Sequence, residues 1–64
     1  MLKVEGIPVS VRQTKKGKNL YVIVLSNGAM VKVLTSKTIE LFKGVSITAG
    51  SFIANEGQLI LFVD

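Results

Sequence analysis

Sixty-four residues make one small domain, residues 1–64, because so short a chain cannot build a second core. Apolar residues make up 48 % and charged ones 19 %, which excludes a disordered chain, and the absence of Cys and His excludes thiol nucleophiles, imidazole bases and the usual zinc sites. The formal net charge of +4 favours polyanionic partners, nucleic acid before anionic membrane surfaces.

Val, Ile, Thr, Tyr and Phe dominate, and the glycines recur at the intervals of an all-β meander. The first predicted strand covers residues 2–13. Its apolar set moves from Leu2 and Val4 to Ile7, Val9 and Val11, so Gly6 reads as a β-bulge that bends a long strand. Pro8, lacking an N–H, belongs at an edge or at that bend. Residues 14–18 form a basic loop, 20–25 the second strand and 30–35 the third. Between these last two, Asn27-Gly28 reads as a two-residue hairpin turn with both residues at positive φ. Residues 36–44 carry Ile39, Leu41 and Phe42, at most a short helical turn stopped by Gly44. Residues 45–49 and 58–63 are strands four and five, joined through Gly50, Phe52 and the turn Asn55-Glu56-Gly57. The expected fold is a small five-stranded barrel.

A two-residue turn pairs Val24 with Val31 and Val22 with Val33. One face then holds Leu20, Val22, Val24, Val31 and Val33, and the other Tyr21, Ile23, Leu25, Met30, Lys32 and Leu34. A lysine is rarely buried without a partner, so the Lys32 face is expected outside. Tyr21 on that face offers a ring for base stacking beside Lys32, and Ile23, Leu25 and Leu34 offer a protein-binding surface. Phe42 and Phe62 are assigned to the core.

Arg12, Lys15, Lys16 and Lys18 form the densest charge in the chain, a cationic finger suited to phosphates, and Gly17 permits the tight turn. No glycine-framed phosphate loop ending in Lys-Ser or Lys-Thr is present. Phe52 is read either as a second stacking platform, with Asn55 as a polar contact, or as a core residue. Lys37 and Lys43 are read as ordinary surface lysines. The acids Glu5, Glu40, Glu56 and Asp64 are scattered, so a catalytic carboxylate pair is not expected and the chain is read as no enzyme, without a cofactor. The apolar runs 20–25 and 59–63 are far shorter than the roughly 20 residues of a membrane span, and no early apolar run resembles a signal peptide. A cytoplasmic protein is expected, in the host cytoplasm if viral.

Five strands, a bulged first strand, an insertion between strands three and four, and short loops 1–2 and 4–5 resemble the OB-fold. So does the stretch from Thr14 through Lys18, Tyr21 and Leu25 to Gly28: a basic Gly-Lys turn, an aromatic, alternating aliphatics and a Ser-Asn-Gly turn. The segment from Lys43-Gly44 to Ala49-Gly50 is similar to the glycine-framed fourth strand of that fold. At this length the chain also resembles the small single-stranded-DNA-binding proteins of filamentous phages, dimeric OB-type barrels in which a Gly-Lys-x-aromatic turn touches ligand. That resemblance implies ligand contacts from Gly17, Lys18 and Tyr21.

The expected function is therefore non-catalytic binding of single-stranded DNA with little sequence preference, in a setting such as DNA replication. Arg12, Lys15, Lys16, Lys18 and Lys32 would meet phosphates, while Tyr21 and Phe52 would stack on bases. Alternatives are an RNA-binding OB domain, an SH3-like protein-interaction or assembly barrel, and a barrel that coats duplex DNA. A homodimer or higher homo-oligomer is expected, since a domain so small has neither disulfides nor metal to brace it.

Overall fold

A computed structural model describes all 64 residues. The chain is all-β, with six strands in one curled sheet of order β4-β1-β2-β3-β6-β5. The strands are β1 (Leu2–Gln13), β2 (Asn19–Leu25), β3 (Met30–Thr35), β4 (Val45–Ala49), β5 (Ser51–Asn55) and β6 (Gln58–Val63). All neighbours pair antiparallel except β3 and β6, which run parallel. No helix is present, so none is long and apolar enough to cross a membrane.

The sixth strand corrects the expected five. Residues 51–55, read as a connection, pair with β6, and only Gly50 separates them from β4. The expected helical turn at 36–44 is absent as well: this segment is irregular, and its Phe42 N–H donates to the Pro8 carbonyl at 2.7 Å. Phe42 has φ 63° and its side chain is 73 % exposed, so it is not a core plug. Ile39 and Leu41 pack against the core in its place.

The turn between β2 and β3 decides which side chains lie inside. Gly28 N–H donates to the Leu25 carbonyl at 2.9 Å, and Leu25 N–H donates to the Ala29 carbonyl at 2.8 Å. Gly28 alone takes a positive φ, 85°, while Asn27 Oδ1 accepts from Ala29 N–H at 2.9 Å. This is a three-residue loop, a turn followed by a left-handed glycine, and not the expected two-residue turn. The pairing becomes Val24↔Met30, Ile23↔Val31, Val22↔Lys32 and Tyr21↔Val33. One residue of shift exchanges the faces. The core accordingly contains Tyr21, Ile23, Val31, Val33 and Leu61, closed over by Val4, Ile47 and Ala49.

The bulge in β1 is likewise displaced. Leu2, Val4 and Gly6 pair with Ala49, Ile47 and Val45, and the register shifts only between Pro8 and Ser10, so the extra residue is Val9. Gly6 answers a different need: a Cβ there would collide with the Val24 carbonyl and lie 2.9 Å from Ile23 Cγ2. Two strand backbones can approach so closely only where one residue has no side chain. The two-residue hairpin with both residues left-handed does occur, but between β5 and β6. There Asn55 pairs with Gln58, and Glu56 (φ 51°) and Gly57 (φ 76°) make the turn.

Two stability outcomes follow from these backbone positions. Gly6→Ala should lower the unfolding free energy by about 1–3 kcal/mol, read from the urea midpoint, because the new methyl group meets backbone. Glu56→Asn should raise it by about 0.5–1 kcal/mol, since asparagine tolerates the left-handed region better than glutamate. In a domain of this size that gain corresponds to a melting-point rise of roughly 2–8 °C.

Candidate nucleic-acid interface

Pairing across the sheet sorts the exposed face of β1, β2, β3, β6 and β5 into rows. One row reads Arg12, Leu20, Leu34, Phe62, Ser51, and the next reads Ser10, Val22, Lys32, Ile60, Ile53. A third, shorter row holds Ile7, Val24 and Met30. This face opposes the core, yet most of it is aliphatic and half-buried. Its cations are Arg12 and Lys32, which line one hollow of about 340 Å³ together with Ser10, Val11, Leu20 and Val22. Lys32 lies between Val22 and Ile60 and is half-buried, as suits a lysine whose long apolar stem can lie along aliphatic neighbours.

Tyr21 is not on this face, which corrects its expected role in stacking. The ring is 2 % exposed, in the row Val11, Tyr21, Val33, Leu61, Phe52 on the core side. Its hydroxyl accepts the Ile39 N–H at 2.8 Å, so the phenol is spent on fastening the 36–44 segment to the sheet. The surface expected from Ile23, Leu25 and Leu34 is also dissolved, since Ile23 is fully buried and Leu34 faces the other way. Phe62, assigned to the core, lies instead on the outer face beside Leu34, half-buried. Phe52 is 51 % exposed at the sheet edge, on the same side as Leu61 and far along the row from Val11. Asn55 is exposed at the end of that strand.

The basic loop is ordered by its own backbone. Gly17 N–H donates to the Thr14 carbonyl at 3.0 Å, Thr14 N–H donates to the Lys18 carbonyl at 2.8 Å, and Lys18 N–H reaches Thr14 Oγ1 at 3.2 Å. Gly17 takes the left-handed φ of 82° that this turn needs. Lys15 and Lys16 lie at the tip, exposed. Asn19, just after the loop, donates from Nδ2 to the Lys37 carbonyl at 3.1 Å, which draws the chain after β3 to the same end of the molecule.

Charge is segregated by this arrangement. Lys3 pairs with Glu5 at 3.6 Å, Lys43 with Glu40 at 3.6 Å, and Lys18 with Asp64 at 3.7 Å. Arg12, Lys15, Lys16, Lys32 and Lys37 stand in no ion pair, and of the acids only Glu56 is unpaired. Arg12, Lys15, Lys16 and Lys37 lie where β1 ends, the 14–18 loop turns and β3 runs out, and Lys32 stands farther along β3. No three acidic side chains come together anywhere. The placement of Lys37 and Phe62 near this face was not legible in the sequence, because the Lys37 carbonyl is held by the Asn19 side chain eighteen positions away and Phe62 sits in a strand apolar on both faces. Compared with known families, curated proteins and solved structures, the chain matches none.

Tyr21→Phe provides a direct check on the phenol's placement. Loss of the hydroxyl strands the Ile39 N–H, and the unfolding free energy should fall by about 1–3 kcal/mol in urea titrations. Any affinity for nucleic acid should stay within two-fold of the parent, since the ring lies inside.

Proposed function

We propose that this protein binds single-stranded DNA with little sequence preference, without catalysis, across the outer face of β1, β2 and β3. The observation that carries this reading is the unpaired cationic set: Arg12 and Lys32 around one hollow, extended by Lys15 and Lys16 on the loop and by Lys37 behind it. Phosphates lie against these groups, with Lys18 a weaker contributor because Asp64 already engages it. The aliphatic rows offer bases a flat apolar bed but few polar groups, which suits tolerance of sequence. A strand-two ring would face the ligand one residue earlier, where Leu20 stands beside Arg12. Phe52 pairs with Leu61 and so turns to the opposite side of the sheet, away from this surface.

The topology supports an OB-type barrel. If β4 and β5 are counted as one strand bent at Gly50, the ring runs β1, β2, β3, β6 and back through the bent strand to β1, with β3 and β6 parallel. That is a five-membered Greek key, and in such barrels the strand 2–3 face and the loops 1–2 and 4–5 hold oligonucleotides. A second copy of the chain is the further partner we propose, seated on the apolar hollow of about 690 Å³ lined in part by Ile7, Val9, Val24, Leu25 and Val45. None of the basic residues lines that hollow, so self-association there leaves the cationic end open.

Fluorescence anisotropy with labelled oligo-dT over a salt series tests the proposal. Affinity should fall linearly on logarithmic axes as salt rises, with a slope of about −0.7 per phosphate contact. Arg12→Gln, Lys15→Gln and Lys16→Gln combined should flatten the slope by about 2 and weaken binding equally for all base compositions. Equal affinity for oligo-U would widen the reading to RNA, and no binding at low salt would end it.

A further inference from the structure

Phe62 occupies a position that its neighbours in sequence do not explain. Leu59, Leu61 and Val63 turn toward the core, while Ile60 and Phe62 turn outward, and Phe62 is the only aromatic residue in the outer rows. Its row is Arg12, Leu20, Leu34, Phe62, so the ring and the guanidinium sit at two ends of one apolar line drawn across four strands. Half-buried, the ring is anchored beside Leu34 and still open on one side.

We propose that Phe62 is the base-stacking residue of this protein, and that the bound strand lies across the sheet along the line from Arg12 to Phe62. This inference rests on the nucleic-acid reading above and adds to it a direction, a footprint and a preference. Three strand spacings of about 4.8 Å place the two ends about 14 Å apart. At the roughly 3.4 Å per nucleotide of a stacked strand, that distance holds about four nucleotides, and fewer where bases are unstacked. The phosphate chain enters at the Lys15–Lys16 tip, meets Arg12 and passes Lys32 in the adjoining row. An unpaired base then closes on Phe62. A face-on contact of this kind needs a base freed from its partner, so single strands are preferred to duplex.

Phe62→Leu keeps an apolar side chain beside Leu34 and removes the ring. Anisotropy with a fluorescein-labelled oligo-dT should then report binding about ten-fold weaker, with the salt slope unchanged and the melting point close to the parent's. Phe62→Trp is the second variant: it keeps a stacking ring and introduces the chain's only tryptophan. Its emission should be quenched by oligo-dT and little altered by a duplex of equal length. Parent-like affinity in Phe62→Leu, or tryptophan emission unmoved while anisotropy reports binding, would overturn the assignment and leave the cationic reading standing. A parent protein that binds no oligonucleotide removes both. A change in sedimentation with no change in oligo-dT affinity would assign Phe62 to a protein contact and likewise overturn the stacking role.

Discussion

Gly28 holds a backbone conformation that L side chains resist, and the parity of two central strands depends on it. With Gly28 left-handed and Asn27 not, the chain takes three positions to reverse between β2 and β3, and Tyr21, Ile23, Val31 and Val33 turn inward together. Everything the interior does follows from that parity. The Tyr21 ring sits among aliphatic neighbours, and its hydroxyl reaches out to hold Ile39, so the irregular segment from β3 to β4 closes one end of the sheet without a helix. Gly6 meets a need for proximity from the other side, letting β1 come against the Val24 carbonyl.

The outer face is the less usual half of the molecule. Leu20, Val22, Val24, Leu34, Ile60 and Phe62 all lie on it, so β2, β3 and β6 are apolar on both sides. A strand buried on one side only would alternate with polar residues. A sheet that keeps aliphatic side chains on its open face presents a surface fit for flat, weakly polar partners, and the bases of a single strand are such partners. Met30 and Ile53 extend the exposed apolar area toward the hairpin end and the β5 edge.

Electrostatics then orients whatever binds. Ion pairs consume the lysines at 3, 18 and 43, each within 4 Å of an acid, while Arg12, Lys15 and Lys16 are left over near the 14–18 loop, with Lys32 farther along the open face. Exposed pairs of this kind contribute little to stability. Their consequence lies in the field: a formal charge of +4 spread evenly would attract polyanions weakly from all sides, whereas this arrangement concentrates the unpaired charge beside the Arg12–Lys32 hollow.

The all-β class and five of the six strands, the basic loop at 14–18, the long first strand and the outward Lys32 were readable from residue types alone, since β-branched runs, glycine punctuation and an unpaired lysine each act locally. Arg12, Lys15 and Lys16 were readable for the same reason. The facing of Tyr21, Phe42 and Phe62 was not. On strands apolar to both sides, alternation carries no information about inside and outside, and a single turn residue shifts the whole register. The Asn27-Gly28 pair fits a loop of two or of three residues, and the choice between them is made by how β2 and β3 pack against Val4, Ile47 and Leu61. Composition and short-range pattern therefore determined that this is a basic β-protein with a cationic loop. Only tertiary packing decided which ring is interior, which stands on the outer face, and which lysines are left without an acid, because those outcomes depend on contacts between residues far apart in the chain.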